Sequence, residues 1–253
     1  MSTEVPSKPA LLAPTFAMLV VVAILMVLGT WQVERLKWKT DLIARATARA
    51  AAPAGPLPAP ADWDRIDFDA LDYTPVRLQG RFDNDTELHV FSPLSEPRGR
   101  FGGPGYLVLS PFILDDGNVV LVNRGFVPEA SKQPASRPAG RIDGPTVIEG
   151  LLRRREPRDA MTPADARDRN VWFVRDARVM AAAVGLDPTR VAPFTVDARA
   201  SATPPGGLPQ AGETRLTFTN NHLGYAITWY GLALCCLGVY LVFIRSQLRR
   251  RAG

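Results

Sequence analysis

His222 is one of two histidines in the 253-residue chain, and it stands where an apolar run begins. A neutral imidazole is a common metal ligand. Tyr225, Ala226 and Trp229 follow at spacings that place all four residues on one face of a helix. Near the other end of the chain, Trp31, Gln32, Arg35 and Trp38 close a second apolar run. Trp31, Arg35 and Trp38 also share a helix face. If the two runs pair, one site gathers an imidazole, aromatic walls, amides and cations. Such a site suits a flat apolar molecule with a metal centre and an anionic edge. His222 would take the metal, the Trp and Tyr rings the flat faces, and Arg35 or Lys37 the carboxylates. A histidine that only caps an interfacial helix beside an aromatic belt explains the same residues.

The elements that must position these side chains are two charge-free runs, Leu11–Val33 and Leu223–Ile244. At roughly 1.5 Å per residue each makes a helix close to the ~30 Å of bilayer hydrocarbon. Transmembrane helices are therefore expected at 11–33 and 222–244, with a cytoplasmic N-terminus at 1–10 and a cytoplasmic basic tail at 245–253. Pro14 falls in the first turn, where its missing N–H costs little. The first run is too long for the apolar core of a typical signal peptide, and no small-residue cleavage site follows it, so it reads as a retained anchor. Arg245, Arg249, Arg250 and Arg251 place the C-terminus in the cytoplasm and residues 34–221 outside. Arg35, Lys37 and Lys39 oppose that orientation, but C-terminal charges can set topology.

The formal net charge is +5, from scattered arginines and a cluster after the second run. Anionic lipid accounts for that balance, and nucleic acid is not expected as a partner. Cys235 and Cys236, the only cysteines, are neighbours inside the second run, about 100° apart on a helix and badly placed for a disulfide. The segment between the runs has no disulfide framework or thiolate site. Copper is disfavoured for want of Cys or Met/His clusters outside the runs.

Between the runs the period changes. Asp41–Ala52 reads as helix, broken by the prolines of Pro53–Pro60. Val76, Leu78, Gly80 and Phe82 alternate with polar residues as a half-buried strand, with Thr86–Phe91 as its hairpin partner. Tyr106–Leu114 and Val119–Asn123 form a hairpin around Asp116-Gly117, and the second strand ends at Arg124–Pro128. Glu129–Pro145 is a loop. Thr146–Arg153, Val171–Arg175, Pro193–Asp197 and Arg215–Phe218 are further strands, and Asp176–Gly185 is a short helix closed by its glycine. The predicted fold is an α+β membrane protein. Two transmembrane helices flank a β-rich extracytoplasmic domain, an antiparallel sheet or small open barrel with a few helices. No phosphate loop or Gly-x-Ser-x-Gly elbow is present, and His89 reads as a strand residue.

The chain resembles the Surfeit locus protein 1 family of cytochrome c oxidase assembly factors. The resemblance rests on Leu28-Gly29-Thr30-Trp31-Gln32 with Arg35, Trp38 and Lys39, and on Gly105-Tyr106-Leu107-Val108 with Pro111-Phe112. It continues through Val122-Asn123-Arg124-Gly125-Phe126-Val127-Pro128, Thr162-Pro163, Asn170-Val171-Trp172 and Arg175-Asp176 with Met180-Ala181. Asn221-His222-Leu223, Tyr225-Ala226 and Thr228-Trp229-Tyr230 complete it. Phe126 stands where the family often has Trp, and Met161 where an aromatic is common. The resemblance implies a non-enzymatic role: binding heme a near the outer membrane face and aiding its delivery to the oxidase catalytic subunit. His222 matches the proposed iron ligand. Trp31, Gln32, Arg35, Asn123, Arg124, Gly125 and Trp229 match other motif positions of the family, and the expected cofactor-binding set is His222 with Trp31, Gln32, Arg35, Tyr225, Trp229 and Arg124. Implied partners are the cytochrome c oxidase catalytic subunit, heme a synthase and membrane lipid. One histidine leaves the second axial position to water, a non-histidine group or a second chain. The absence of an Arg-rich presequence points to a bacterial inner membrane, with the domain in the periplasm. The alternative is a scaffold that stabilises an oxidase subunit without binding heme.

Overall fold

The computed structural model describes residues 11–214 and 220–252. The expected strand at Arg215–Phe218 and the N-terminal segment 1–10 lie outside the described residues. The chain divides into two compact units. One ends at Arg45 and resumes at Thr217, and the other is Ala46–Leu216.

The first unit is a helix pair. Helix α1 spans Leu12–Ala50, and the last helix, α4, spans His222–Ala252. Both carry a segment long and apolar enough to cross a membrane. Their large side chains are bare: Phe16 is 70% exposed and Leu234 72%. A helix of a water-soluble core would hide such residues, so hydrocarbon is the solvent that suits them. The less exposed positions of α1 include Thr15, Met18, Val22, Leu25, Gly29, Gln32 and Leu36. On α4 they include His222, Ala226, Trp229, Ala233, Cys236 and Tyr240, with Tyr230 beside them. Alternating steps of three and four make each set a single seam, as in coiled coils. The contacts run Gln32 to His222, Thr30 to Tyr230 and Thr15 to Tyr240, so the helices are antiparallel. Gly29 lets the two approach: a Cβ there would lie 2.7 Å from the Tyr230 ring.

Among the described residues the second unit is built on seven strands: β1 Gly55–Pro56, β2 Pro75–Phe82, β3 Leu88–Phe91, β4 Gly105–Leu114, β5 Val119–Pro128, β6 Thr146–Arg153 and β7 Val191–Ala198. Their order is β1-β2-β6-β7-β5-β4-β3, and a further β2–β4 pairing closes the central five into a barrel. The alternation read in β2 holds, with Val76, Leu78 and Phe82 buried. They meet Phe112, Val120, Val122, Ile148, Leu152, Phe194 and Val196 from the other barrel strands, so the interior is packed with side chains. Trp63, from a turn at Pro60–Arg65, sets its ring edge-on to Phe194 at 5.8 Å. A second cluster lies on the outer face. There Leu109, Val119, Leu121 and Val191 are covered by Trp172 and by Ala177, Met180 and Ala181 of a short helix, α3 (Ala177–Ala183). Helix α2 is a single turn, Phe68–Leu71.

Two expectations are corrected. β3 does not pair with β2; it pairs with β4, in the register Leu88↔Leu109 to Phe91↔Tyr106. That pairing buries Leu88 and Val90 in the outer cluster, which a β2–β3 hairpin would leave uncovered. Val171–Arg175 forms isolated bridges only, at Val171 and Trp172. The Phe173 and Arg175 amides donate to the carboxylates of Asp165 and Glu156, so side chains take the place of a ladder. The expected fold class is present as the small-barrel alternative, and within that barrel β5 and β7 run parallel.

Barrel closure depends on Gly80. It pairs with Thr146 of β6 and with Leu114 of β4, so β2 changes partner there. A Cβ at Gly80 would lie 2.1 Å from the Ile113 carbonyl oxygen. Neither backbone can retreat without opening the ring. Gly80→Ala is therefore expected to lower stability by about 1–3 kcal/mol, seen as a reduced melting temperature of the full chain in detergent.

Candidate functional site

His222 opens α4, and its Nδ1 lies 2.7 Å from Oε1 of Gln32 on α1. A carbonyl oxygen only accepts, so Nδ1 donates and carries the proton. The other ring nitrogen, Nε2, then keeps its lone pair for a ligand. Gln32 is buried at the seam, whereas His222 is half-buried and accessible. The expected meeting of the two helices at these residues is present. Trp229 and Ala226 continue the seam beneath His222.

The other expected residues sit around this pair rather than within it. Trp31, beside Gln32, is 53% exposed, and Tyr225 is 56% exposed, off the seam. Arg35 stacks on Trp38 at 4.6 Å. Among the described residues, no group of three or more His, Cys, Asp or Glu is arranged to hold a metal ion.

Arg124 belongs to the β unit. A register shift between β4 and β5 pairs Val108 with Gly125 and Leu109 with Asn123, leaving Arg124 as the bulged residue. Its guanidinium donates to the Gly140 carbonyl, lies 4.7 Å over the Phe82 ring and stands 4.0 Å from Glu87. Glu87 also takes a bidentate pair from Arg137 and lies 3.4 Å from His89 Nε2. Burial alone would raise the Glu87 carboxyl, but His89 beside it and the Arg137 pair hold it below the usual range. Gly125 is fixed in this bulge by φ +127°, with its backbone close against Gln210.

The bulge also aims Asn123 at a second buried network, which sequence reasoning missed. Asp197 of β7 accepts from Asn123 Nδ2 at 2.9 Å, Arg175 at 2.8 Å and Thr214 at 2.7 Å, with Arg153 at 3.5 Å. Desolvation would raise its carboxyl, but Arg175, Arg153 and the Thr214 and Asn123 hydrogen bonds together outweigh burial, so it is held below the usual range. Arg175 is held above its ordinary value, because Asp197 and Glu156 outweigh the effect of burial. The available signal was Asp197 itself, a lone acid in the run Phe194-Thr195-Val196-Asp197-Ala198. A charge on a buried strand needs a built partner.

The family described as SURF1 family matches residues 19–234. The chain is 40% identical to Surfeit locus protein 1 of Rattus norvegicus over 89% of this chain and 73% of that one. It is 40% identical to the Homo sapiens protein of the same name, over 81% and 69%. To a SURF1-like protein of Drosophila melanogaster it is 32% identical over 92% and 79%. With a match across both helices and the barrel between them, the chain belongs to the SURF1 family.

Proposed function

We propose that this protein is a membrane-bound assembly factor for heme–copper cytochrome c oxidase, not an enzyme, and that it carries heme a on His222. The observation that carries the reading is the His222–Gln32 pair, which presents one accessible nitrogen lone pair where two helices meet. A bare metal ion asks for three or four protein ligands. A porphyrin iron arrives with four nitrogens and asks the protein for one, which fits a single histidine. When bound, heme would supply the iron that Nε2 of His222 holds. Trp31, Tyr225 and Trp229 would lie against the macrocycle, and Arg35 would meet a carboxylate. Arg124, engaged by Gly140, Glu87 and Phe82, enters this reading as a residue that fixes the barrel surface.

The proposed setting is a bacterial inner membrane, with both termini cytoplasmic and the barrel in the periplasm. Partners are the oxidase catalytic subunit, heme a synthase and membrane lipid. Exposed Trp31 and Trp38 also favour a second reading, a scaffold that grips an oxidase subunit through this aromatic face without heme. Deleting the gene is expected to lower the heme a of the assembled oxidase several-fold, and the tagged protein should co-purify with the catalytic subunit. Normal oxidase heme together with no co-purification would remove the assembly role. Co-purification by a protein that never contains heme would favour the scaffold.

A further inference from the structure

We propose that Gln32 is a positioning residue: its amide oxygen sets which nitrogen of His222 is offered, and its neutrality keeps the resulting bond reversible. This rests on His222 being the heme ligand. Gln32 is 8% exposed at a lipid-facing helix pair, where a buried amide without a partner is costly. The amide oxygen meets Nδ1 of His222 at 2.7 Å. In a neutral imidazole the tautomer follows the hydrogen bond made by the other nitrogen. With Nδ1–H committed to Gln32, the lone pair is on Nε2. Without Gln32 nothing in the described seam demands that tautomer, and Nε2 becomes free to carry the proton and cease to be a ligand.

The chemistry of the acceptor matters as well. Metal-bound histidines often donate their second N–H to a carboxylate, which raises the basicity of the ligating nitrogen. An amide oxygen orients the ring but carries no charge, so Nε2 is a weaker donor than it would be beside Glu or Asp. That suits a carrier whose cargo must leave. It also makes ligation depend on helix pairing, since the two residues lie on different helices.

The chain has only two histidines, so ¹⁵N-histidine NMR of the full chain in detergent yields two ring systems, assigned with His222→Ala. At a pH of about 8.5, where ordinary imidazoles are neutral, His222 should show a protonated Nδ1. Gln32→Leu should lose that pattern and weaken hemin binding about 10-fold or more. Gln32→Glu keeps an acceptor in place; it should retain the pattern, tighten hemin binding and slow its release to an apo-heme acceptor. A protonated Nε2 in the unmodified chain, or an unchanged pattern in Gln32→Leu, would overturn the proposal. Should Gln32→Leu fail to fold, Gln32→Glu decides: hemin binding equal to or weaker than that of the unmodified protein also overturns it. Failure of the heme reading looks different, because hemin would then bind neither protein although the Nδ1–H pattern depends on Gln32.

Discussion

Replacing His222 by glycine should strip the protein of heme, and free imidazole should restore it. The glycine variant removes the half-buried imidazole at the seam and leaves space of about the ring's own size. Thr30 with Tyr230 and Thr15 with Tyr240 still join the helices, so the pair should persist. His89, the other histidine, is no substitute. It is 5% exposed in the β unit, its Nδ1 lies 3.1 Å from Asn170 Nδ2, and its Nε2 faces Glu87. Heme per chain should fall to the level of a protein-free detergent control in His222→Gly and recover with imidazole in the buffer. Heme retained by the variant without imidazole would take His222 out of the site.

The second large effect is on folding. Asp197→Ala would leave Arg175 with Glu156 and Arg153 with Asp72, and would empty the acceptor shared by Asn123 and Thr214. Breaking a buried pair from one side typically costs about 3–5 kcal/mol, far more than an exposed pair is worth. The expected result is a large fall in the melting temperature of the full chain, with the helical signal of α1 and α4 little changed. The pH dependence follows from the direction of the Asp197 shift. Its folded value lies below its unfolded value of about 3.9. Its contribution is thus fully present above about pH 4 and is lost as pH falls through the lowered folded value. The gap between the unmodified protein and Asp197→Ala should be constant from neutral pH to about pH 5 and narrow in stronger acid. A gap that widens in acid would mean that Asp197 is not ionised in the fold.

Much of this was legible because membrane and barrel segments announce themselves by pattern. Two charge-free runs could be read directly, since hydrocarbon tolerates no ionised residue cheaply. β2 showed period two, and Asp116-Gly117 marked the β4–β5 hairpin, whose Gly117 has φ +78°. Pairing over distance was not legible. Nothing local in Leu88-His89-Val90-Phe91 says that it joins β4 rather than β2, because that choice is made by the cluster around Trp172. The parallel β5–β7 contact and the barrel closure at Gly80 are likewise long-range choices. At the candidate site, His222 stood out by rarity and place. Gln32 was visible as a residue, but its partner was not: an amide at a helix end has many acceptors and donors to choose from, and only the antiparallel register selects Nδ1 of His222. Tyr225 fell within the face drawn by helical spacing yet lies at its exposed margin, because the seam runs through Ala226 instead.

The central claim is that one imidazole, offered between two membrane helices, carries heme a. Purify the unmodified protein from cells that make heme a, and record its reduced-minus-oxidised spectrum together with a pyridine extract to identify the heme. A heme a signal approaching one per chain is the expected result. A protein purified from those cells with its helices paired and its spectrum empty of heme would contradict the account.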